Sequence, residues 1–298
     1  MREKKLQPQV CIVPLERVLP HEMVDPRRVE RLKADLLSDG VLKNPPIAAH
    51  HNGSFIILDG ATRTKALREL GAAHIVIQVV DYQEPMVHLD TWNHLLMDVP
   101  HEEVCERVQA AIQIPGQPIQ PGDLHEGLKT GLFSFGLFTV AGTAIGYNGS
   151  RDHRHRIDQL NRVAEVCQEM SPIYRSDEHD VSILQASYSD LSVVISYPVF
   201  RPADVIQCVL DEVPMPAGIT RHLIDGRVLG LNIPLGALTV QESLDDINGR
   251  LCDQIENGSF KKTHDMNGET LLQFNPGSIT SEPRRYSVFN KVDELAMK

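Results

Sequence analysis

The feature that most constrains the fold is a short apolar strand that runs directly into a glycine turn and a helix. Residues 55–58 (FIIL) have the composition of a buried strand, and Asp59 and Gly60 follow at once. Residues 62–71 then place apolar side chains at helical spacing, with Gly71 as the stop. A helix N-terminus presents free N–H groups and partial positive charge, and glycine allows close approach to the backbone. The pattern therefore makes this turn a candidate phosphate-binding site.

The flanking residues predict a mixed α/β (α+β) module of about a hundred residues. Asp25-Pro26 is an N-cap followed by proline at the first helical position, and Gly40 ends that helix. Asn52-Gly53 indicates a hairpin turn, and residues 75–80 form a further strand. We predict a catalytic module at 1–100, a linker at 101–122 that ends in a loop rich in proline and glycine, a second α/β domain at 123–238, and a helical extension with a polar tail at 239–298.

Composition and residue spacing disfavour several classes of function. The 298 residues include 29 Lys and Arg against 40 Asp and Glu, a net charge of −11 that disfavours nucleic acid as a partner. Five well-separated cysteines show no metal-binding spacing, which fits a reducing cytoplasmic compartment. Because no apolar run reaches 18 residues, we predict no membrane span. His153 and His155 match no well-defined zinc spacing.

The residues of the turn itself suggest two interpretations. Arg63, in the first turn of the helix, could add a planar, permanently charged fork for phosphate oxygens, and Asp59 suits Mg²⁺ or an acceptor hydroxyl. Alternatively, Asp59 is an ordinary N-cap and Arg63 a solvated helix residue. The spacing alone slightly favours the second interpretation.

A resemblance to a known family favours the first. Residues 58–63 (LDGATR), with Ala66-Leu67, Leu70-Gly71 and the preceding 40–47 (GVLKNPPI), resemble the core of the ParB/sulfiredoxin superfamily. Residues 20–22 (PHE), 79–82 (VVDY) and Trp92-Asn93 are similar to free L-serine kinases of the archaeal and siderophore-associated type. The resemblance is strong over about residues 8–95 and weaker up to about 235, where it includes 218–222 (GITRH), Gly226-Arg227 and 232–234 (NIP).

The resemblance implies phosphorylation of free L-serine to O-phospho-L-serine, with ATP or ADP as donor and Mg²⁺, in a cleft formed by the two α/β regions of a monomer or homodimer. It makes Glu22 the base or hydroxyl-orienting group, and it places Asp59 beside the hydroxyl or Mg²⁺. The nucleotide-binding residues that it implies are Lys43, Asn44, Pro45, Gly60, Ala61, Thr62, Arg63 and Thr64. The serine-binding residues are His21, Trp92, Asn93, Thr220, Arg221 and His222.

Departures from the superfamily pattern bear on the alternatives. Thr62 stands where many members have histidine, and a hydroxyl can still bind phosphate. Ala61 stands where sulfiredoxin chemistry needs a cysteine, which disfavours sulfinic acid reduction. A ParB-like transcriptional regulator that senses a metabolite, and a kinase for another small hydroxyl amino acid, remain alternatives. Trp92 could instead be a core anchor, and Lys43 a solvated surface charge.

Overall fold

The computed structural model describes residues 8–82, 87–239, 242–266 and 268–276. Contacts divide the chain into two units, residues 1–88 with 222–298 and residues 89–221. This division corrects the predicted domain boundaries, because the chain leaves the first unit once and later returns to it. No helix in the described part of the chain is long and apolar enough to cross a bilayer.

The first unit begins with a five-stranded sheet flanked by two helices. The sheet order is β1-β6-β4-β5-β2, in which β2 runs parallel to β5 and β4 parallel to β6. Phe55 and Ile57 of β5 are buried in its core. The elements are β1 (Gln9–Pro14), β2 (Val18–Pro20), α1 (Pro26–Asp39), β3 (Val41–Leu42), β4 (Ile47–His51), β5 (Ser54–Asp59), α2 (Ala61–Glu69) and β6 (His74–Val80).

Local signals determine the ends of α1. The Asp25 carboxylate accepts a hydrogen bond from the Arg27 N–H, Pro26 occupies the first turn, and Gly40 ends the helix at a φ of 69°. Val29 and Leu36 of this helix face the core. The helix predicted at 62–71 is also present, although it begins one residue earlier and ends at Glu69.

The second unit is built on a six-stranded sheet of order β12-β8-β13-β10-β11-β9. The predicted linker at 101–122 is wrong. Residues 101–112 form a helix that buries Val104, Val108 and Ile112, and residues 117–119 pair with the edge of the sheet. The elements are β7 (Val87–Thr91), β8 (Asn93–Met97), α3 (His101–Ile112), β9 (Gln117–Ile119), α4 (Pro121–Lys129), β10 (Phe135–Thr139), β11 (Ala144–Tyr147), α5 (His153–Met170), β12 (Tyr174–Ser176), α6 (Val181–Ser187), β13 (Leu191–Ser196) and α7 (Pro202–Leu210).

The chain then returns to the first unit. The remaining elements are β14 (Thr220–Ile224), β15 (Arg227–Leu229), β16 (Ile233–Pro234), α8 (Leu235–Thr239), α9 (Leu244–Asn257), β17 (Ser259–His264) and β18 (Thr270–Asn275). Strands β15, β18 and β17 form a three-stranded sheet in that order, with β15 parallel to β18.

The prediction of a separate C-terminal extension is therefore wrong for the part of the chain that is described. Ile247 and Leu251 of α9 and Phe274 of β18 belong to the same core as Phe55. The Asn248 amide bonds the backbone of Ile12 in β1 in both directions, as acceptor and as donor, each at 2.8 Å. Part of the predicted polar tail forms β17 and β18, and the rest of it, after residue 276, lies outside the described residues.

Candidate active site

The predicted carboxylates lie at the same end of two adjacent parallel strands. Pro20 of β2 pairs with Ile57 of β5, and Glu22 and Asp59 each follow their member of that pair by two residues. Between them, His21 donates a hydrogen bond through Nδ1 to the Ile57 carbonyl at 2.6 Å, which holds the segment after β2 against β5. Adjacent strands are about 4.8 Å apart, so this topology brings Glu22 and Asp59 into one region of the first unit.

Asp59 is held by two guanidinium groups. Its Oδ2 lies 2.7 Å from Nη2 of Arg63 and 3.2 Å from Nη1 of Arg227. Arg63 also donates through Nη1 to the carbonyls of Asn44 and Pro45, at 2.9 and 3.0 Å. Arg63 therefore ties the loop before β4 to the end of β5, in addition to any role with phosphate.

Gly60 is required at the turn for two reasons. Its φ of 96° is a left-handed conformation that side chains rarely adopt. A Cβ there would also lie 2.9 Å from both Nη2 of Arg63 and Cβ of Pro46. No side chain caps α2, in contrast to Asp25 on α1, so the amide groups of its first turn are not bonded to a capping side chain.

A cavity of about 640 Å³ adjoins this turn within the first unit. Its wall includes the predicted residues Lys43, Asn44, Pro45, Asp59 and Arg63. It also includes three residues of β15, which are Arg227, Val228 and Leu229. The volume is in the range of pockets that hold nucleotide-sized ligands.

Three predicted nucleotide-binding residues have structural partners. Lys43 forms an ion pair with Asp39 at 2.6 Å, and the Asn44 amide oxygen accepts from the Gly230 N–H at 2.8 Å. Thr64 is buried, and its hydroxyl donates to the Gly60 carbonyl at 3.1 Å. Ala61 is also buried and offers only its backbone, whereas Thr62 is half-buried.

Arg227 is the site residue that sequence reasoning missed. It was part of the motif that carries the resemblance, but nothing in the local sequence links it to Asp59, which is 168 positions away. Gln78 of β6 holds the backbone around Arg227 in place. The buried Gln78 amide accepts a hydrogen bond from Val228 N at 2.8 Å and donates one to the Gly226 carbonyl at 2.9 Å. The two residues that flank Arg227 are thus fixed by one side chain.

Replacing Gln78 with leucine is expected to destabilise the first unit by about 2–5 kcal/mol, because it leaves a buried N–H and a buried C=O unpaired. Urea unfolding measures this loss. Gln159→Leu is the matched control, since that buried amide in the second unit accepts only one backbone bond among those observed, from Ser150 N. If both variants lose the same free energy of unfolding, Gln78 does not hold the backbone on both sides of Arg227.

His21 and His222 form a buried aromatic cluster with Tyr82 in the first unit. The rings of His21 and His222 meet edge to face with centroids 5.3 Å apart, and Nε2 of His222 shares a hydrogen bond with the Tyr82 hydroxyl at 2.8 Å. Burial, together with His21 and Arg227, holds the pKa of His222 well below its usual value. The His222 ring, one of the two histidine rings predicted to bind serine, is therefore neutral and buried in the first unit.

The other predicted serine-binding residues lie in the second unit. The Arg221 guanidinium lies over the Trp92 ring, 4.8 Å from its centroid, and Nη1 is 2.9 Å from Asp177 and 3.5 Å from Asp90. Asn93 is fully buried and donates to the Glu178 carbonyl at 2.7 Å. Any substrate carboxylate at Arg221 would compete with two aspartates.

His94 supports the backbone next to these residues. Its Nε2 donates to the Gly218 carbonyl at 3.0 Å, which leaves Nδ1 of the neutral ring to accept from the Tyr197 hydroxyl at 3.1 Å. Burial, reinforced by Arg175 and opposed by the bond to Gly218, lowers the pKa of His94 from 6.5 to about 4.

Acid is therefore expected to destabilise the second unit through His94. Between pH 6.5 and 4 the His94 ring is protonated in the unfolded chain but not in the folded protein. Acid therefore favours the unfolded chain, and stability that is present above pH 6.5 is lost on acidification. His222 acts in the same direction, so the informative quantity is the stability difference between wild type and His94→Gln. Urea unfolding should show that this difference shrinks by about 2–3 kcal/mol from pH 7 to 4.5. A constant difference would contradict the assignment.

No protein-family model matches the chain. The chain is 22% identical over 240 residues to the ATP-dependent L-serine kinase SbnI of Staphylococcus aureus. The aligned region covers 79% of this chain and 86% of that protein. The chain is 29% identical over 103 residues to an ATP-dependent L-serine kinase of Staphylothermus marinus, covering 31% of this chain and 41% of that one.

The fold is that of a solved free serine kinase in complex with AMP. The TM-score is 0.66 at 19% identity, over 77% of this chain and 93% of the other. The predicted mixed α/β fold is thereby confirmed, and so is the predicted resemblance to free serine kinases.

Proposed function

We propose that this chain phosphorylates the hydroxyl of free L-serine, with ATP or ADP as donor. The observation that carries the proposal is the placement of Glu22 and Asp59 at the ends of adjacent parallel strands, where Asp59 also borders a cavity with two guanidinium groups in its wall. Two relatives are named ATP-dependent L-serine kinases, and a structural neighbour is a free serine kinase with bound AMP, which supports the same reaction.

The reaction needs little covalent chemistry from the protein. The serine Oγ forms a bond to the terminal phosphorus of the nucleotide, the bond from that phosphorus to the leaving oxygen breaks, and the Oγ proton passes to the Glu22 carboxylate. Positioning and neutralisation of charge dominate catalysis of such transfers. Glu22 orients the hydroxyl and accepts its proton.

The nucleotide occupies the cavity of the first unit in this proposal. The uncapped first turn of α2 and the guanidinium of Arg227 face its phosphates, and Lys43 joins them after leaving Asp39. Arg63 ties Asp59 to the Asn44 and Pro45 carbonyls, and its guanidinium, which lines the same cavity, also faces the phosphates.

The residues present fit Mg²⁺ bound with the nucleotide. The described residues contain no group of three side chains that could hold a metal by themselves. In phosphoryl-transfer sites Mg²⁺ is usually bound through one or two carboxylates together with substrate phosphates, and Asp59 supplies one such carboxylate. When bound, the ion would neutralise charge on the transferred group. The serine-binding roles of Trp92, Asn93, Thr220 and Arg221 remain predictions.

Mass spectrometry of the products tests the proposal. Incubation with Mg²⁺, ATP or ADP, and L-serine is expected to give O-phosphoserine with the matching loss of one phosphoryl group from the nucleotide. L-threonine and L-homoserine in parallel reactions measure acceptor selectivity, since a methyl or methylene group is worth only about 1–3 kcal/mol in a pocket. Nucleotide consumption that does not depend on any amino acid would refute the proposal.

A further inference from the structure

The C-terminal hairpin, formed by β17 and β18, places one carboxylate against a guanidinium of the proposed nucleotide site. Glu269, immediately before β18, places Oε2 at 3.2 Å from Nε of Arg227. Its side chain is only 16% exposed. Glu269 lies beyond residue 235, where the resemblance to serine kinases ends, so no role for it follows from that resemblance.

The backbone of the hairpin fixes Glu269 with respect to Arg227. The Asp265 carboxylate accepts from Glu269 N at 2.8 Å, and Asp265 N donates to the Glu269 carbonyl at 3.1 Å. The next residue, Thr270, accepts from Gly226 N at 2.8 Å. Arg227 pairs with Leu271, and because side chains alternate along a strand, Glu269 emerges on the same face as Leu271.

Each nitrogen of the Arg227 guanidinium therefore faces a different oxygen. Nη1 is 3.2 Å from Asp59, Nη2 donates to the His222 carbonyl at 2.5 Å, and Nε faces Glu269. The Nε–H is not directed at Glu269 closely enough for a hydrogen bond, so this third contact is an ion pair. Because these three contacts lie in three directions, they fix the plane of the Arg227 guanidinium, which would otherwise rotate freely.

We propose that Glu269 is a positioning residue, which holds Arg227 in the orientation that binds the phosphates of the nucleotide. The inference rests on the proposed function. It gives the C-terminal hairpin a role in the affinity of the nucleotide site, although none of the hairpin residues that the structure describes lines the cavity.

The sign of the effect separates positioning from simple electrostatics. Glu269 is negative, so if it acted only through its field its removal would strengthen the binding of phosphates. If it acts by orienting Arg227, its removal weakens binding in spite of the lost repulsion.

Calorimetric titration with ADP tests this inference on the full chain. Glu269→Gln is expected to weaken ADP binding about tenfold, and Glu269→Asp, which retains the charge, to recover most of that loss. In an Arg227→Gln background, Glu269→Gln should change the affinity less than twofold. Glu242→Gln is the matched control, because it removes a 2.6 Å ion pair with Arg250 in the same unit.

Two results would overturn the inference while leaving the proposed function intact. One is wild-type or tighter ADP binding by a folded Glu269→Gln protein that still phosphorylates serine. The other is a loss of affinity that persists undiminished in the Arg227→Gln background. If the wild-type chain itself binds no ADP, the proposed function fails and this inference fails with it.

Discussion

Glu22→Gln is expected to lower the rate of serine phosphorylation by at least about a hundredfold. The variant retains the size and much of the hydrogen bonding of the side chain but removes its capacity to accept the Oγ proton, a contribution of about 10²–10⁴ in rate for a general base. Because Glu22 is only half-buried, Tm should change little, and ADP should bind within about threefold of wild type. A coupled assay of serine-dependent nucleotide turnover measures the effect.

The matched control for this substitution is Glu16→Gln. Glu16 is exposed in the same unit, in the short 3₁₀ turn between β1 and β2. It should retain full turnover. A Glu22→Gln protein with kcat within about threefold of wild type would show that Glu22 does not act as the base.

Asp59→Asn is expected to separate nucleotide affinity from turnover. The substitution frees Arg63 and Arg227 from their shared carboxylate and removes a negative charge that faces the phosphates. Without Mg²⁺, ADP should bind about fivefold more tightly, because Asp59, unlike Glu269, lines the cavity itself, and the His222 carbonyl and Glu269 still orient Arg227. With Mg²⁺, kcat should fall by at least about a hundredfold, because the carboxylate that would hold the ion is gone.

Asp39→Asn provides the comparison within the same cavity. Asp39 also lines the cavity and is paired with Lys43, yet it is assigned no role in the transfer itself. Its kcat should stay within about threefold of wild type. Equal losses of kcat in the two variants would mean that Asp59 contributes only to the general charge of the cavity.

The sequence predicted those parts of the site that depend on neighbouring residues. The cap and stop of α1 and the glycine turn between β5 and α2 are local signals, because N-caps, left-handed glycines and helical spacing act within a few residues. They were sufficient to place Asp59, Gly60 and Arg63 at the turn. The role of Glu22 came from the resemblance, and its position beside β5 could not be predicted locally, since the pairing of β2 with β5 joins distant segments.

The parts that could not be predicted depend on long-range pairing. The contact of Arg227 with Asp59 requires the chain to return from the second unit, and the contact with Glu269 requires β18 to pair with β15. Two partners of Arg63 could not be predicted either, because the Asn44 and Pro45 carbonyls are 19 and 18 residues away. The prediction of a linker at 101–122 rests on the proline and glycine content of residues 114–122, which does not reveal the buried face of α3.

A crystal structure of the wild-type chain with L-serine and a non-hydrolysable ATP analogue tests the central claim most directly. We expect the serine Oγ to lie within hydrogen-bond distance of the Glu22 carboxylate and in line with the terminal phosphorus, with the phosphates near Arg227 and the first turn of α2. A serine hydroxyl bound out of reach of Glu22, or a nucleotide bound away from the end of β5, would contradict the account.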